Sequence, residues 1–211
     1  MDITRLRTDY THGRLEEQDL DPDPIGQFAR WLEAAVAANL PEPNGMTLST
    51  VGEDGRPSSR VVLLRGYSRE GMVFYTNYQS RKGRELEIHP LACLGFWWPV
   101  LERQVRIEGR VEKVSAATSD AYFASRPYES QIASAASPQS EEIGSRALLD
   151  ERIAALRREY PEAVPRPAHW GGFRLVPDRF EFWQGRKARL HDRLVYTLQP
   201  DGTWKIARLA P

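Results

Sequence analysis

The stretch from residue 46 to 75 reads Met46-Thr47-Leu48-Ser49-Thr50-Val51, Gly52-Glu53-Asp54-Gly55, Arg56-Pro57-Ser58, Ser59-Arg60-Val61-Val62-Leu63-Leu64-Arg65, Gly66-Tyr67, Ser68-Arg69-Glu70-Gly71 and Met72-Val73-Phe74-Tyr75. Three short runs rich in β-branched, apolar or aromatic residues alternate with two Gly-bearing turn signals. The pattern predicts a meander of hairpins with strands at 46–51, 59–65 and 72–75.

Upstream, Asp23-Pro24 is a helix start, with Asp at the N-cap and Pro at the first helical position. Ile25, Phe28, Leu32, Ala35 and Val36 follow at helical spacing, and Pro41 and Pro43 end that helix. The polar residues 1–20 read as an arm, and 21–211 as one domain. Downstream, 80–89 reads as a short helix, 91–98 and 103–114 as strands, and 116–125 and 145–160 as helices. In the last of these Leu149, Ile153, Leu156 and Tyr160 form the apolar stripe, and Arg152, Arg157 and Arg158 a solvated face. A Pro-rich loop at 161–167 leads to a final strand set over 171–209. Antiparallel strands with peripheral helices predict an α+β architecture built on a β-barrel.

The chain has 211 residues and 41% hydrophobic content, enough for one sizeable core. Lys plus Arg and Asp plus Glu number 29 each. That balance argues against a general nucleic-acid or membrane-surface protein, which carries a basic excess. The single cysteine, Cys93, excludes an intrachain disulfide and fits a reducing compartment. No apolar run approaches the roughly 20 residues that span a bilayer, and the charged start has no secretory h-region. A soluble, cytoplasmic protein is expected.

Four stretches stand out chemically. In Tyr75-Thr76-Asn77-Tyr78-Gln79-Ser80-Arg81-Lys82-Gly83, Ser80 is a reasonable N-cap. Arg81 and Lys82 then fall in the first turn, where the helix dipole disfavours cations. A phosphate at that helix start would remove the conflict; a solvated basic helix start would cost only a few tenths of a kcal/mol. In the strand around Arg60 and Arg65, period-2 alternation puts the two arginines on opposite faces unless a bulge intervenes, so they could serve two anions or merely flank a buried strand. Near the end, Arg189, His191 and Arg193 share one face if that segment is a strand. Such a face meets solvent or an anionic ligand. Finally, Tyr122 and Arg126 lie one helical turn apart before Pro127. With a serine of this stretch, Ser125 or Ser130, they could hold a phosphate where Pro127 turns the chain, although helix termination explains the same residues.

G-x-G-x-x-G, Walker A, H-E-x-x-H, C-x-x-C and G-x-S-x-G are all missing. His12, His89, His169 and His191 show no metal-ligand spacing, so no metal is expected.

Taken together and in this order, these stretches resemble the pyridoxamine/pyridoxine 5'-phosphate oxidase family. The resemblance runs from Leu6-Arg7 to Arg208-Leu209-Ala210-Pro211. It rests on Arg60-Val61-Val62-Leu63-Leu64, Phe74-Tyr75-Thr76-Asn77 with Ser80-Arg81-Lys82-Gly83, and Leu101-Glu102-Arg103-Gln104-Val105. Ser125-Arg126-Pro127 with Ser130-Gln131-Ile132, Trp170-Gly171-Gly172-Phe173, Glu181-Phe182-Trp183-Gln184-Gly185 and Arg189-Leu190-His191-Asp192-Arg193 complete it.

The resemblance implies a split β-barrel that binds flavin mononucleotide (FMN) and works as a homodimer with active sites built from both subunits. Arg60, Arg81 and Lys82 would bind the FMN phosphate, with Val61, Val62, Leu63, Leu64 and Arg65 along the same strand. Tyr75, Thr76, Gln104, Gln139, Ser140, Trp183 and Arg193 would surround the rest of the flavin. Arg65, Tyr122, Arg126 and Ser130 would grip the substrate phosphate. Arg189 and His191, the catalytic candidates, would sit against the pyridine ring, and Arg7 and Tyr10 would cover the site. The implied reaction is hydride transfer from C4' of a phosphorylated vitamin B6 to flavin N5, with reoxidation by O2 giving H2O2. The cofactor carries the redox step, and the protein supplies orientation and electrostatics.

Two positions depart from the family pattern. Arg65 stands where Lys is frequent, and a guanidinium is broader and forked. Ala133-Ser134-Ala135 replaces a frequent Gly-Ala-Trp. Two other readings share much of this evidence: an FMN oxidase of the phenazine-biosynthesis branch, acting on a tricyclic carboxylate, and a non-catalytic carrier of flavin or pyridoxal phosphate.

Overall fold

The computed structural model describes residues 2, 5 and 9–211. Helix α1 (Pro24–Ala37) starts as its sequence dictates: the Asp23 side chain accepts from the Ile25 N–H at 3.0 Å, and Pro24 needs no partner for a missing donor. Its Phe28 and Trp31 are buried, Phe28 against Phe96 and Trp31 against Phe182.

Strands β1 (Gly45–Val51) and β2 (Pro57–Leu63) form the first hairpin, followed by β3 (Gly66–Ser68) and β4 (Gly71–Asn77). Helix α2 (Arg81–Ile88), β5 (Leu91–Trp98) and β6 (Arg103–Lys113) come next. Three helices follow, α3 (Ala116–Ser125), α4 (Tyr128–Ala136) and α5 (Arg146–Glu159). The chain closes with β7 (Trp170–Gln184), β8 (Asp192–Leu198) and β9 (Trp204–Leu209). Among the described residues, all nine strands join one antiparallel sheet in the order β2-β1-β5-β6-β7-β4-β3, with β8 and β9 branching from β7.

Strand β7 organises the molecule. One edge pairs with β6 along its length. The other edge is shared: Trp170–Leu175 pair with β4, and Arg179–Gln184 with β8. A register shift at Glu108/Gly109 bends this pair. Gly109 is required there, because a Cβ would run into the Val176 carbonyl.

Leu48, Phe74, Phe96, Ile107, Phe180, Phe182 and Tyr196 fill the sheet interior under α1. A smaller cluster of Phe123, Ile132, Val164 and Trp170 seats the helices α3 and α4 on the start of β7.

The elements differ from the sequence expectation in two places. The second strand ends at Leu63 and not at 65, because the Arg65 N–H turns to the Val73 carbonyl at 2.8 Å beside the short β3. Helix α4 stands where Pro127 suggested only a corner; Pro127 is its N-cap residue, and the run after it has a weak apolar period. The expected stripe of α5 faces inward: Leu149, Ile153, Leu156 and Tyr160 are half-buried, and the last three pack on the smaller cluster.

Candidate active site

A cavity of about 870 Å³ opens between β2, β4, the start of α2 and the helices α3–α5. Its floor is set by the α2 start. Ser80 caps α2 by accepting from the Gly83 N–H at 3.4 Å. Gly83 is obligatory, since a Cβ would strike the Tyr78 carbonyl. Lys82, in the first turn, is buried, and its Nζ donates to Gln139 Oε1 at 3.0 Å, Thr76 Oγ1 at 3.1 Å and Ser80 Oγ at 3.2 Å. Burial, and then the nearby Arg60, push the Lys82 ammonium down to about 8, against the pull of Glu85. The alternative of a solvated basic helix start is therefore excluded for Lys82.

Arg60 and Arg65 line the same cavity and do not serve opposite faces. The strand ends before Arg65, so period-2 alternation does not extend to it. Val61, Val62 and Leu63 also line the cavity. Leu64 does not; it is buried in the core, and its backbone exchanges hydrogen bonds with Asn44.

Tyr122 and Arg126 of α3 form the opposite wall. Tyr122 stacks on Tyr75 with centroids 3.8 Å apart, and Trp170 continues the stack. Arg126 lies over the Trp170 ring at 4.7 Å and donates to Ser134 Oγ at 2.7 Å. Burial and then the neighbouring Arg65, opposed by Tyr122, lower the pKa of its guanidinium. Thr76, Gln139 and Ser140 complete the lining. Ser130 is not among the lining residues. Ser134, one turn further along α4, takes the place expected for its hydroxyl. Sequence reasoning missed Ser134 because α4 itself was not foreseen. It also missed Glu85, whose partners other than Arg81 come from β1 and β2.

The remaining expected residues lie elsewhere. Gln104 pairs with Trp183 across β6 and β7, while Thr76 and Tyr75 pair with Gly171 and Gly172 near the other end of β7. Gly171 and Trp183 are separated by up to about 40 Å of strand at roughly 3.3 Å per residue. Around Trp183 lie His191, with ring centroids 4.6 Å away, and Tyr10, at 5.6 Å from both rings. His191 Nδ1 accepts from the Arg186 N–H at 3.1 Å, which places the proton of the neutral ring on Nε2. Burial and then Arg189 hold the His191 pKa below its ordinary value, opposed by Asp192.

Arg189, His191 and Arg193 do not share a strand face. Ala188 and Arg189 adopt left-handed φ of 54° and 61° in a turn, and β8 begins only at Asp192. Arg193 Nε donates to Glu181 Oε1 at 2.8 Å. None of Tyr10, Gln104, Trp183, Arg189, His191 or Arg193 lines the 870 Å³ cavity. Arg7 lies outside the described residues.

The arm is strapped across this second group. The His12 N–H donates to Glu102 Oε2 at 2.9 Å, and the Leu15 N–H to Asp192 Oδ2 at 3.0 Å. Arg208 reaches Glu17 at 2.7 and 2.9 Å and Asp192 at 2.8 Å. Among the described residues, no helix is long and apolar enough to cross a membrane.

Residues 32–159 match the family model for pyridoxamine 5'-phosphate oxidase, and residues 170–211 match the pyridoxine 5'-phosphate oxidase C-terminal dimerisation region. The chain is 60% identical over 210 residues to a pyridoxine/pyridoxamine 5'-phosphate oxidase of Methylibium petroleiphilum, covering 100% of this chain and 99% of the relative. A protein of the same description from Chromobacterium violaceum is 56% identical over 211 residues, with the same coverage. Among solved structures, PhzG from Burkholderia lata, in complex with tetrahydrophenazine-1-carboxylic acid, superposes with a TM-score of 0.88 at 34% identity, covering 93% of this chain and 98% of that one. A pyridoxamine 5'-phosphate oxidase-related, FMN-binding protein from Nostoc punctiforme shares the fold, with a TM-score of 0.70 at 19% identity over 92% of this chain and 99% of that one. The split barrel, the two matched regions and these relatives place the chain in the pyridoxine/pyridoxamine 5'-phosphate oxidase family.

Proposed function

We propose that the chain is an FMN-dependent oxidase that converts pyridoxine and pyridoxamine 5'-phosphates to pyridoxal 5'-phosphate. One observation carries the reading: a single cavity is lined by two groups of neighbouring cations, Arg60, Arg81 and Lys82 around Glu85 and Arg65 with Arg126, besides Arg146 of α5. Such an arrangement suits two phosphate esters held at once. The buried Lys82 ammonium, with only neutral acceptors within hydrogen-bond distance, fits a phosphate at the helix start.

Bound FMN would supply the hydride acceptor for C4' of the substrate, with O2 as the terminal electron acceptor and H2O2 as the co-product. Arg60, Arg81 and Lys82 hold the flavin phosphate, and Thr76, Gln139 and Ser140 contact the rest of the cofactor. Arg65, Tyr122 and Arg126 hold the substrate phosphate, with Ser134 on α4 beside them in the place expected for Ser130. Two fixed phosphates restrict the ring to one approach, which is where such a site gains rate. Arg189 and the neutral His191 orient the pyridine ring and bias its electronics.

The working unit in this reading is a homodimer. Gln104, Trp183, Arg189, His191, Arg193 and Tyr10 of one chain complete the cavity of its partner. The dimerisation region at 170–211 supports this, as do the apolar side chains Val61, Trp97, Val100 and Leu190, exposed in the isolated chain near these parts.

The test is oxygen consumption by FMN-loaded protein given pyridoxine 5'-phosphate, with pyridoxal phosphate followed by absorbance and unphosphorylated pyridoxine as control. Turnover of the phosphorylated compound alone is expected; absence of turnover with flavin bound contradicts the assignment. The PhzG likeness favours a second reading, an oxidase of a tricyclic carboxylate. The 56–60% identity to oxidases of the vitamin B6 phosphates and the cluster of Arg65, Tyr122 and Arg126 weigh against it.

A further inference from the structure

Behind the cation group at the α2 start stands a carboxylate that the reaction does not need. Glu85 is buried, and both its oxygens are fully engaged. Oε2 accepts from Thr50 Oγ1 at 2.5 Å, Ser58 Oγ at 2.6 Å and Arg60 Nη2 at 3.1 Å; Oε1 accepts from Arg81 Nε at 2.8 Å. Thr50 and Ser58 also accept from the same Arg60 guanidinium. Arg60 comes from β2 and Arg81 from α2, and Glu85 ties the two elements together by ion pairs to both.

Burying a carboxylate is costly unless it is paired. Here burial would push the Glu85 carboxyl up, but bonds from Ser58, Thr50, Arg81 and Arg60 hold it at about 2. It is therefore ionised throughout the working range. Lys82 is near enough for Glu85 to favour its charged form. Three cations against one carboxylate leave a net charge of +2, the complement of a phosphate monoester dianion.

We propose that Glu85 is a positioning residue of the cofactor clamp: it aims Arg60 and Arg81 and sets the clamp's charge to match a dianionic phosphate monoester. The inference rests on the reading that the flavin phosphate lies at the α2 start. A bare cluster of three cations would repel itself and splay its flexible side chains toward solvent. Glu85 fixes two of the three before the ligand arrives, so less order is imposed on binding.

The experiment measures dissociation constants of apoprotein for FMN and for riboflavin, by quenching of flavin fluorescence, in the wild type, Glu85→Gln and Glu85→Asp. Gln removes the charge and one acceptor. Asp keeps the charge but is too short to reach both arginines. Both variants are expected to bind FMN at least tenfold more weakly, with riboflavin affinity within twofold of wild type. Riboflavin lacks the phosphate, so a merely structural role would move both ligands alike. Unchanged or tighter FMN binding in the variants overturns the proposal, as does parallel loss of both ligands in both variants. Failure of the wild type itself to prefer FMN over riboflavin would instead contradict the placement of the flavin phosphate.

Discussion

The cavity beside α2 and the platform around Trp183 are built in opposite ways. The cavity is preorganised by secondary structure: a capped helix start, a buried lysine and a carboxylate behind two arginines. The platform is assembled from a left-handed turn, an arm and a network of ion pairs at Arg208. The first holds charge in place before a ligand comes. The second holds rings, with Tyr10, Trp183 and His191 in mutual edge or tilted contact. Binding a phosphate and orienting a heterocycle are different tasks, and the proposed function divides them between the two ends of β7.

The largest effect should come from the cavity. Lys82→Met removes a buried ammonium that donates three hydrogen bonds. Charge-assisted bonds of about 1.5–3 kcal/mol predict FMN binding weaker by roughly 10- to 100-fold, read by fluorescence titration. The same residue gives a pH signature. Its pKa is lowered to about 8 in the ligand-free protein, against an ordinary 10.5. Above about 8 the ammonium must be reprotonated to hold a phosphate, so wild-type FMN affinity should fall as pH rises through that value. Unliganded stability should move the other way: the unfolded chain binds the extra proton between about 8 and 10.5, so stability rises with pH across that window. Subtracting the Lys82→Met profile isolates both effects, and profiles that coincide would contradict the assignment.

A smaller effect is expected on the substrate side. Ser134→Ala removes the acceptor that holds Arg126 at 2.7 Å. A bond worth about 0.5–1.5 kcal/mol predicts a two- to tenfold rise in KM for pyridoxine 5'-phosphate, with FMN affinity unchanged. The smallest belongs to the platform. Arg208→Ala releases Glu17 and Asp192 and loosens the arm that carries Tyr10. Arg208 and Glu17 are exposed and only Asp192 is half-buried, so a change of a few-fold in kcat/KM is expected, again with FMN affinity untouched. A loss of FMN binding in Arg208→Ala would erase the distinction between the two regions.

The hairpins, α1, α2, α3 and α5 were legible because their signals are local: Gly-bearing turns, Asp23 and Ser80 caps, apolar spacing. Helix α4 was not, since a nine-residue helix after Pro127 carries little periodicity. In the site, the cluster at Arg81 and Lys82 could be read from the conflict with the helix dipole. Glu85 was not read, because apart from Arg81 one turn before it, its partners come from β1 and β2, 25 to 35 residues away in the chain. The joint placement of Arg60 and Arg65 was missed because alternation assumes a strand that in fact ends at Leu63. The left-handed pair Ala188 and Arg189 left no sign in residue types, as neither is Gly or Asn.

The division of one site between two chains is tested most directly by mixed dimers. One variant carries Lys82→Met and Arg126→Ala in the cavity; the other carries Arg189→Ala and His191→Ala on the platform. Each homodimer should lack activity. In a heterodimer purified through two tags, one cavity and one platform remain intact and face each other, so about half of the wild-type activity per dimer should return if subunits complete one another. A heterodimer as inactive as its parents would show that each chain builds its site alone.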